Sequence, residues 1–262
     1  MNETPDGFDG KAYVVTGGTQ GIGAAAALAL AGAGAAGVVI CGRNREKGAA
    51  MAKAIEDAGA SCEYVAADLA DADDCRKPVP ACMRRFGRVD GLVNAAGLTE
   101  RGTIEDTTVE FWDHMFAVNT RAPFILIQDA VKAMKQNKIE GSIVNIITMS
   151  SHGGQPFLTP YSVSKGALGV LTKNVAHALR FDRIRVNGVN MGWADTPNEH
   201  VVQVAEGKAA DWLAKAESTQ PFGRLIKPDD IARLCLFLLG PQSGLMTGAL
   251  IDYDQMIMGA YD

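Results

Sequence analysis

The chain has little basic charge and no pattern of paired cysteines. Its 262 residues carry 25 Lys and Arg against 30 Asp and Glu, a net charge of −5 at pH 7. Without a dense basic cluster, binding to nucleic acid or to an anionic membrane surface is not expected. The five cysteines include no Cys-x-x-Cys pair, and no His/Cys spacing fits a metal site. We therefore expect no metal, and free thiols in a reducing cytoplasm.

Charge is also absent between Lys11 and Arg43, where residues 22–41 are almost wholly apolar or small. A stretch of this length would suit a membrane span. Glycines at positions 32, 34 and 37 divide it into a helix and a strand, and both are expected in the interior of a parallel-sheet protein. The short acidic N-terminus lacks the basic and then apolar pattern of a signal peptide. Neither a membrane span nor a leader is expected.

Apolar runs typical of strands alternate with helical stretches along the whole chain. This rhythm predicts a single doubly wound α/β domain over residues 1–262, with a mostly parallel seven-stranded sheet and helices on both faces. The predicted strands are 13–16, 38–41, 63–67, 91–94, 142–147, 185–189 and 249–252. The predicted helices lie near 21–32, 45–58, 73–86, 108–135, 160–180, 199–216 and 228–239.

A glycine-rich turn, Thr16-Gly-Gly-Thr-Gln-Gly-Ile-Gly23, stands between the first predicted strand and helix. Gly17 suits the tight turn, Gly21 the close approach of a pyrophosphate to the backbone, and Gly23 the close packing of helix on strand. A structural turn would give the same pattern. The position between strand and helix favours a dinucleotide-phosphate site.

Tyr161 and Lys165 are four residues apart on a predicted helix, so their side chains lie on one face. A nearby ammonium favours the phenolate and would bring the tyrosine pKa from about 10 toward neutral, where a phenol can act as an acid or base. Tyr-x-x-x-Lys also occurs by chance on surface helices. Other polar residues follow the third to sixth predicted strands, at the edge where ligands bind in such sheets; they are Asp68, Asn94, Thr148 to Ser151 and Asn190 to Thr196.

With these residues assembled, the chain resembles the short-chain dehydrogenase/reductase family over nearly its full length. The glycine-rich turn matches the family's cofactor turn, and Tyr161 and Lys165 match its signature pair. Asn94-Ala-Ala-Gly97 is similar to its Asn-Asn-Ala-Gly segment, and Asn119 stands where the family has a helical catalytic asparagine. The resemblance implies a Rossmann-like fold and an NAD(P)-dependent oxidoreductase that interconverts a secondary alcohol and a ketone.

The resemblance also implies a role for each matching residue. Tyr161 would exchange a proton with the substrate oxygen, Lys165 would lower the tyrosine pKa and bond the nicotinamide ribose, and Asn119 would hold a water of a proton relay. The implied catalytic residues are Asn119, Thr148, Tyr161 and Lys165. The implied cofactor-binding residues are Gly17, Thr19, Gln20, Gly21, Ile22, Arg43, Asn44, Asp68, Leu69, Asn94, Ala95, Ala96, Gly97, Tyr161, Lys165, Gly192, Ala194 and Thr196.

The sequence departs from the family at three places. Thr148 stands where a serine usually orients the substrate oxygen; Ser150 competes for that role, and we prefer Thr148, with Ser150 lining the pocket. Met191 replaces the proline usually found before Gly192. Residues 252–254 read Asp-Tyr-Asp where Asp-Gly-Gly is usual, at a position that is often a subunit contact.

The choice between NADP and NAD depends on the end of the second strand. Gly42 stands where a carboxylate would select NAD, and the guanidinium of Arg43 next to it can grip a phosphate. Against this, Gln20 is neutral where many NADP-type members have a basic residue, and Arg43 can instead stack on adenine or remain solvated. We predict NADP over NAD.

The substrate is expected under a flap formed by residues 193–220. Trp193, Ser150 and Gln155 are the predicted substrate contacts, and the mixture of polar and aromatic residues suits a polyol, sugar or hydroxy acid. Two alternatives stay open: a dinucleotide-binding sensor without turnover, and an epimerase that uses the same tyrosine and lysine. The resemblance implies a homo-oligomer, a tetramer or a dimer.

Overall fold

The computed structural model describes residues 7–258, which form one seven-stranded parallel sheet in the order β3-β2-β1-β4-β5-β6-β7. Every neighbouring pair of strands is parallel. The strands are β1 Ala12–Thr16, β2 Gly37–Gly42, β3 Ser61–Ala66, β4 Gly91–Asn94, β5 Ser142–Ile146, β6 Arg185–Met191 and β7 Leu250–Tyr253. The predicted sheet is confirmed, and all of its strands run in one direction.

Ten α-helices cover both faces of the sheet within residues 7–258. They are α1 Gly21–Gly32, α2 Arg45–Asp57, α3 Ala72–Cys75, α4 Pro78–Phe86, α5 Val109–Phe116, α6 Ala122–Gln136, α7 Thr159–Leu179, α8 Pro197–Ala205, α9 Trp212–Ser218 and α10 Pro228–Leu239. One apolar core joins the sheet to α1, α2 and α10, and a second core joins it to α4, α6 and α7. Burial on both faces is why the strands have almost no polar alternation.

From β1 the sheet extends to one side through β2 and β3, and to the other side through β4 to β7, so the strand order reverses between β1 and β4. Loops that leave neighbouring strands at such a point run to opposite faces, which opens a crevice at the carboxyl ends of the strands. The glycine-rich turn follows β1, and the Asn94-to-Gly97 segment follows β4. The topology therefore brings the sequence motifs of both loops to one crevice.

Three predicted helices are interrupted. The 73–86 stretch is divided into α3 and α4, because Pro78 begins a new helix. The 108–135 stretch contains a π-helical turn at Ala117–Arg121 between α5 and α6. The 199–216 stretch forms α8 and α9, with Gly207 in the left-handed region at φ 73° just past the end of α8.

The uncharged stretch after Lys11 folds as β1, α1 and β2, all largely buried. Among residues 7–258, no helix combines the length and the apolar character that crossing a membrane requires. The five cysteines are free and buried.

Candidate active site

A cavity of about 870 Å³ occupies the crevice at the carboxyl ends of the strands. The glycine-rich turn, the end of β2, the loops after β4 and β5, the start of α7 and the 193–220 flap line it. Of the predicted site residues, all except three asparagines line this cavity. The sequence motifs therefore meet around one site.

The glycine-rich turn has the shape of a phosphate cradle. Gly17 and Gly21 lie at φ 64° and 57°, and a Cβ at Gly17 would stand 2.9 Å from the backbone of Ala96. A side chain at either position would be strained, and at Gly17 it would also close the crevice. No side chain caps the N-terminus of α1, and no acidic residue lies in its first turn. Its free backbone amides and positive dipole end therefore suit an anion.

Arg43 lies at the exposed end of β2 and lines the cavity, and its guanidinium has no partner among residues 7–258. Close by, Lys47 donates a hydrogen bond from Nζ to Gln20 Oε1 over 2.6 Å. The ammonium of Lys47 thus stands against the neutral side chain of the glycine-rich turn. Sequence analysis missed this residue, because the contact joins positions 27 residues apart.

Tyr161, Thr148 and Lys165 meet on the floor of the cavity. Tyr161 and Lys165 lie on consecutive turns of α7, and Thr148 follows β5. The Thr148 hydroxyl is the polar group that acts on the Tyr161 phenol and lowers its pKa, and both residues line the cavity. Lys165 is buried, and its Nζ donates to the Ile146 carbonyl over 2.8 Å. Two hydroxyls and an ammonium are therefore held together by the sheet and one helix.

The pKa of Tyr161 moves in the direction opposite to the one predicted. Burial raises the pKa of this phenol, and the negative charge of Glu199 raises it further, while the Thr148 hydrogen bond and the charge of Arg101 lower it. Burial also lowers the pKa of Lys165 to about 8. No carboxylate within residues 7–258 pairs with the ammonium to offset this effect of burial.

Asn119 lies in the π-helical turn. Its side chain is hydrogen-bonded to the loop after β4 and does not line the cavity. Its side chain accepts from Leu98 N (2.9 Å) and donates to Leu98 O (3.0 Å), so it pairs with this backbone in both directions. The same Nδ2 lies 3.0 Å from Ser164 Oγ on α7. A Cβ on Gly97 would meet Lys165 Nζ at 3.2 Å and Asn119 Oδ1 at 3.3 Å. Asn119 therefore holds the loop against the lysine.

The other two asparagines outside the cavity also have internal partners. Asn44 caps α2 by accepting from Lys47 N over 2.9 Å. Asn94 donates to Asn145 Oδ1 over 2.8 Å in the buried sheet. Both side chains support the backbone from which neighbouring residues reach the cavity.

Ser150 and Gln155 line the cavity and are bonded to each other, with Ser150 Oγ donating to Gln155 Oε1 over 2.5 Å. The Thr148 hydroxyl, in contrast, faces Tyr161 and also accepts from Ser150 N over 3.2 Å. This arrangement favours Thr148 as the hydroxyl that orients the substrate oxygen.

The flap contributes a charged cluster that sequence analysis missed. Glu199, on α8, is 9% exposed and accepts from Trp193 Nε1 (2.8 Å) and Gln203 Nε2 (2.7 Å). Arg101, from the loop after β4, pairs with Glu206 at 2.7 Å and approaches Glu199 at 3.6 Å. Thr196-Pro-Asn-Glu199 has the pattern of a capping box, so a helix-end role would have been assigned to Glu199 from the sequence.

Two aromatic side chains of the flap, His200 and Trp212, do not line the cavity. His200 pairs with Asp195 at 2.8 Å and packs edge-on against Trp212. Asp195 in turn binds Lys227, which also pairs with Glu217. These contacts fix the base of the flap.

Comparison with known proteins agrees with this architecture. The family model described as Enoyl-(Acyl carrier protein) reductase matches residues 17–255. An uncharacterised oxidoreductase of Methylorubrum extorquens is 36% identical over 94% of this chain and 96% of its own length. An NADP-dependent (R)-specific alcohol dehydrogenase of Lentilactobacillus kefiri is 34% identical over 93% and 95%.

A crystal structure of a short-chain type dehydrogenase/reductase from Mycobacterium marinum superimposes with a TM-score of 0.87, at 29% identity and 97% coverage of both chains. The chain belongs to the short-chain dehydrogenase/reductase family, whose members are NAD(P)-dependent oxidoreductases.

Proposed function

We propose that this protein interconverts a secondary alcohol and a ketone with a nicotinamide cofactor, and that Tyr161 is its acid and base. The observation that carries the proposal is that Tyr161, Thr148 and the buried Lys165 line one cavity, where the Thr148 hydroxyl lowers the pKa of the Tyr161 phenol. Two hydroxyls that share a proton network can hold one substrate oxygen and exchange a proton with it.

The raised pKa of Tyr161 gives the direction in which the site is prepared to act. At neutral pH the phenol keeps its proton, so Tyr161 can donate it to the oxygen of a ketone. Thr148 orients that oxygen, and Lys165 stabilises the phenolate that remains. In the reverse direction Tyr161 must first lose its proton, so alcohol oxidation is expected to increase as the pH rises.

The residues around the glycine-rich turn fit a dinucleotide. The amides at the start of α1 would hold the pyrophosphate, Asp68 and Leu69 would contact adenine, and Gly192, Ala194 and Thr196 would lie at the nicotinamide end. When bound, the cofactor supplies or accepts the hydride.

We further propose NADP rather than NAD as the cofactor. Arg43 follows β2 and lines the cavity, and Lys47 in the first turn of α2 donates to the neutral Gln20, which also lines it. The similar Lentilactobacillus kefiri enzyme is NADP-dependent.

The reaction is tested with purified protein, either cofactor and a panel of secondary alcohols and ketones, followed by nicotinamide absorbance. Tyr161→Phe is expected to lose about a hundred- to ten-thousandfold in kcat, the usual contribution of an acid–base group, and to keep its Tm. Full activity of this variant would reject the mechanism. Cofactor binding without turnover would indicate a sensor, and isomerisation without net reduction an epimerase.

Cofactor choice is tested with Arg43→Ala and Lys47→Ala. We expect each to raise the KM for NADP by roughly tenfold, as loss of a charged hydrogen bond does, with little change for NAD. Lys53→Ala, which loses only a surface pair with Asp57 on the same helix, is the control. In the wild type, a KM for NAD well below the KM for NADP would contradict the assignment.

We also propose that the chain forms a homo-oligomer in the cytoplasm, as a tetramer or a dimer. Exposed apolar side chains on α6 and α7 support the assembly; they are Phe124, Val163 and Val170. The five free buried thiols suit a reducing compartment.

A further inference from the structure

Glu199 is a carboxylate in the wall of the cavity that the proposed reaction does not use. Its Oε1 accepts from Trp193 and Gln203 and lies 3.6 Å from the Arg101 guanidinium. Its Oε2 has no hydrogen-bond partner among residues 7–258. This oxygen is also absent from the set of unpartnered polar atoms that are fully buried, so it is accessible to solvent. Since Glu199 is almost wholly buried and lines the cavity, this oxygen opens into it.

The carboxylate also lines the same cavity as Tyr161. Its negative charge adds to the effect of burial in raising the pKa of that phenol. A carboxylate that is held by two hydrogen bonds near the proposed acid–base group can favour substrates that carry a hydrogen-bond donor at this position. The same negative charge repels a substrate that carries a carboxylate there.

Arg101 does not reverse this preference. Its guanidinium is bonded to Glu206 at 2.7 Å and lies over the ring of Phe157 at 5.8 Å. Lys208 is the other cation in this part of the cavity wall, and it stands on the exposed rim. The cavity lining also includes four acidic side chains, Glu100, Glu199, Glu206 and Asp254, of which Glu199 and Glu206 lie next to Arg101. The substrate end of the cavity is therefore acidic overall.

We propose that Glu199 is a specificity-determining residue whose Oε2 accepts a hydrogen bond from a second hydroxyl of the substrate. The inference rests on the proposed alcohol–ketone reaction and narrows its substrates to neutral polyols and hydroxyketones. Hydroxy acids, which the sequence left open, are disfavoured by the acidic wall.

The test compares three compounds with one ring: cyclohexanol, vicinal cyclohexanediol and hydroxycyclohexanecarboxylate. Wild type is expected to favour the diol over cyclohexanol by roughly tenfold or more in kcat/KM, because the hydrogen bond is made to a charged group. The hydroxy acid is expected to be the poorest substrate. Equal kcat/KM values for the diol and cyclohexanol would overturn the inference.

Glu199→Gln keeps an Oε1 acceptor for Trp193 and Gln203 and turns the open oxygen into a donor. We expect the diol preference to fall severalfold, because a neutral amide bonds a hydroxyl more weakly than a carboxylate does, while the Tm is kept. Glu100→Gln is the matched control, since Glu100 lines the same wall, is exposed and makes no hydrogen bond within residues 7–258. This variant loses an equal charge and should keep the preference. Loss of the preference in both variants would show a general charge effect and reject the role of Oε2.

Calorimetric binding of the diol and of cyclohexanol to protein saturated with cofactor separates this inference from the proposed reaction. Tighter binding of the diol that Glu199→Gln weakens, with no turnover of any alcohol, would reject the reaction and support Glu199. Turnover of alcohols, with equal binding of diol and cyclohexanol, would support the reaction and reject Glu199.

Discussion

At the scale of single residues, the site depends on which hydroxyl stands next to Tyr161. Thr148 bonds the phenol, while Ser150 is committed to Gln155. Threonine has the same hydroxyl as the serine usual at this position, and its extra methyl restricts χ1 to fewer rotamers. The substitution therefore keeps the donor and fixes its direction more firmly.

Thr148→Ala is accordingly expected to lower kcat by about tenfold or more, as loss of a hydrogen bond to a developing charge does, whereas Ser150→Ala keeps most of it. Thr148→Ser should restore the activity. Steady-state kinetics with one alcohol checks all three variants. Retained turnover in Thr148→Ala together with its loss in Ser150→Ala would transfer the role to Ser150.

The lowered pKa of Lys165 leads to a prediction about the stability of the fold rather than the rate of the reaction. Its pKa is about 8 in the folded chain and about 10.4 in an unfolded one, so the unfolded state binds more protons between these values. The free energy of unfolding contributed by Lys165 therefore rises with pH across this window. Relative to Lys165→Met, wild type should gain about 2 kcal/mol between about pH 7 and about pH 9.5.

Urea unfolding of both proteins at the two pH values measures this difference. Lys173→Met, an exposed lysine on the same helix, should show no such gain. A difference between wild type and Lys165→Met that does not change with pH would mean that the buried ammonium is not destabilised.

At the scale of elements, the sequence predicts strands better than helix interruptions. Strand ends agree to within two residues, because runs such as Val-Val-Ile-Cys41 are bounded by glycine and charge. β6 extends beyond its prediction to Met191, since Asn190 and Met191 pair with β7. The π-helical turn at Asn119 escapes periodicity, because one extra residue per turn hardly changes the apolar pattern.

The site shows the same limit. The glycine-rich turn and the Tyr161–Lys165 pair are local motifs that can be recognised in the sequence, and both line the cavity. Arg101 and Glu206 are 105 positions apart, and their pairing depends on how the flap folds back over the loop after β4. Asn198 strengthens the same junction by donating to Thr99 Oγ1 over 3.1 Å.

These contacts between the flap and the loop after β4 predict the effect of Arg101→Met. Loss of Arg101 removes the cation that pairs with Glu206 and approaches Glu199, so the flap should open more often. We expect a three- to fivefold rise in the alcohol KM, roughly the 1 kcal/mol of a partly exposed pair, and faster proteolysis within residues 197–220. Lys135→Met, which removes a similar pair with Asp182 far from the cavity, is the control. Equal proteolysis of both variants would mean that other contacts hold the flap.

At the scale of the whole molecule, two exposed valines distinguish α7 from an ordinary surface helix. Val163 and Val170 are 47% and 62% exposed and seven residues apart, so they lie on one side of the helix, two turns apart. The opposite side of α7 packs into the core against the sheet. The proposed catalytic pair, Tyr161 and Lys165, therefore stands on a helix that connects the candidate active site to a candidate subunit contact.

If this face is covered by a second copy, Val170→Lys should disrupt the assembly without harming the fold. An exposed lysine costs an isolated chain little, but an unpaired ammonium buried between subunits is strongly unfavourable. Light scattering after gel filtration should show a fall in mass, with a Tm that becomes lower and depends more on concentration. Val201→Lys, at a similarly exposed valine on α8, should keep the wild-type mass. A monomeric wild type, or an unchanged mass for Val170→Lys, would show that this face stays open to solvent and that α7 serves one active site alone.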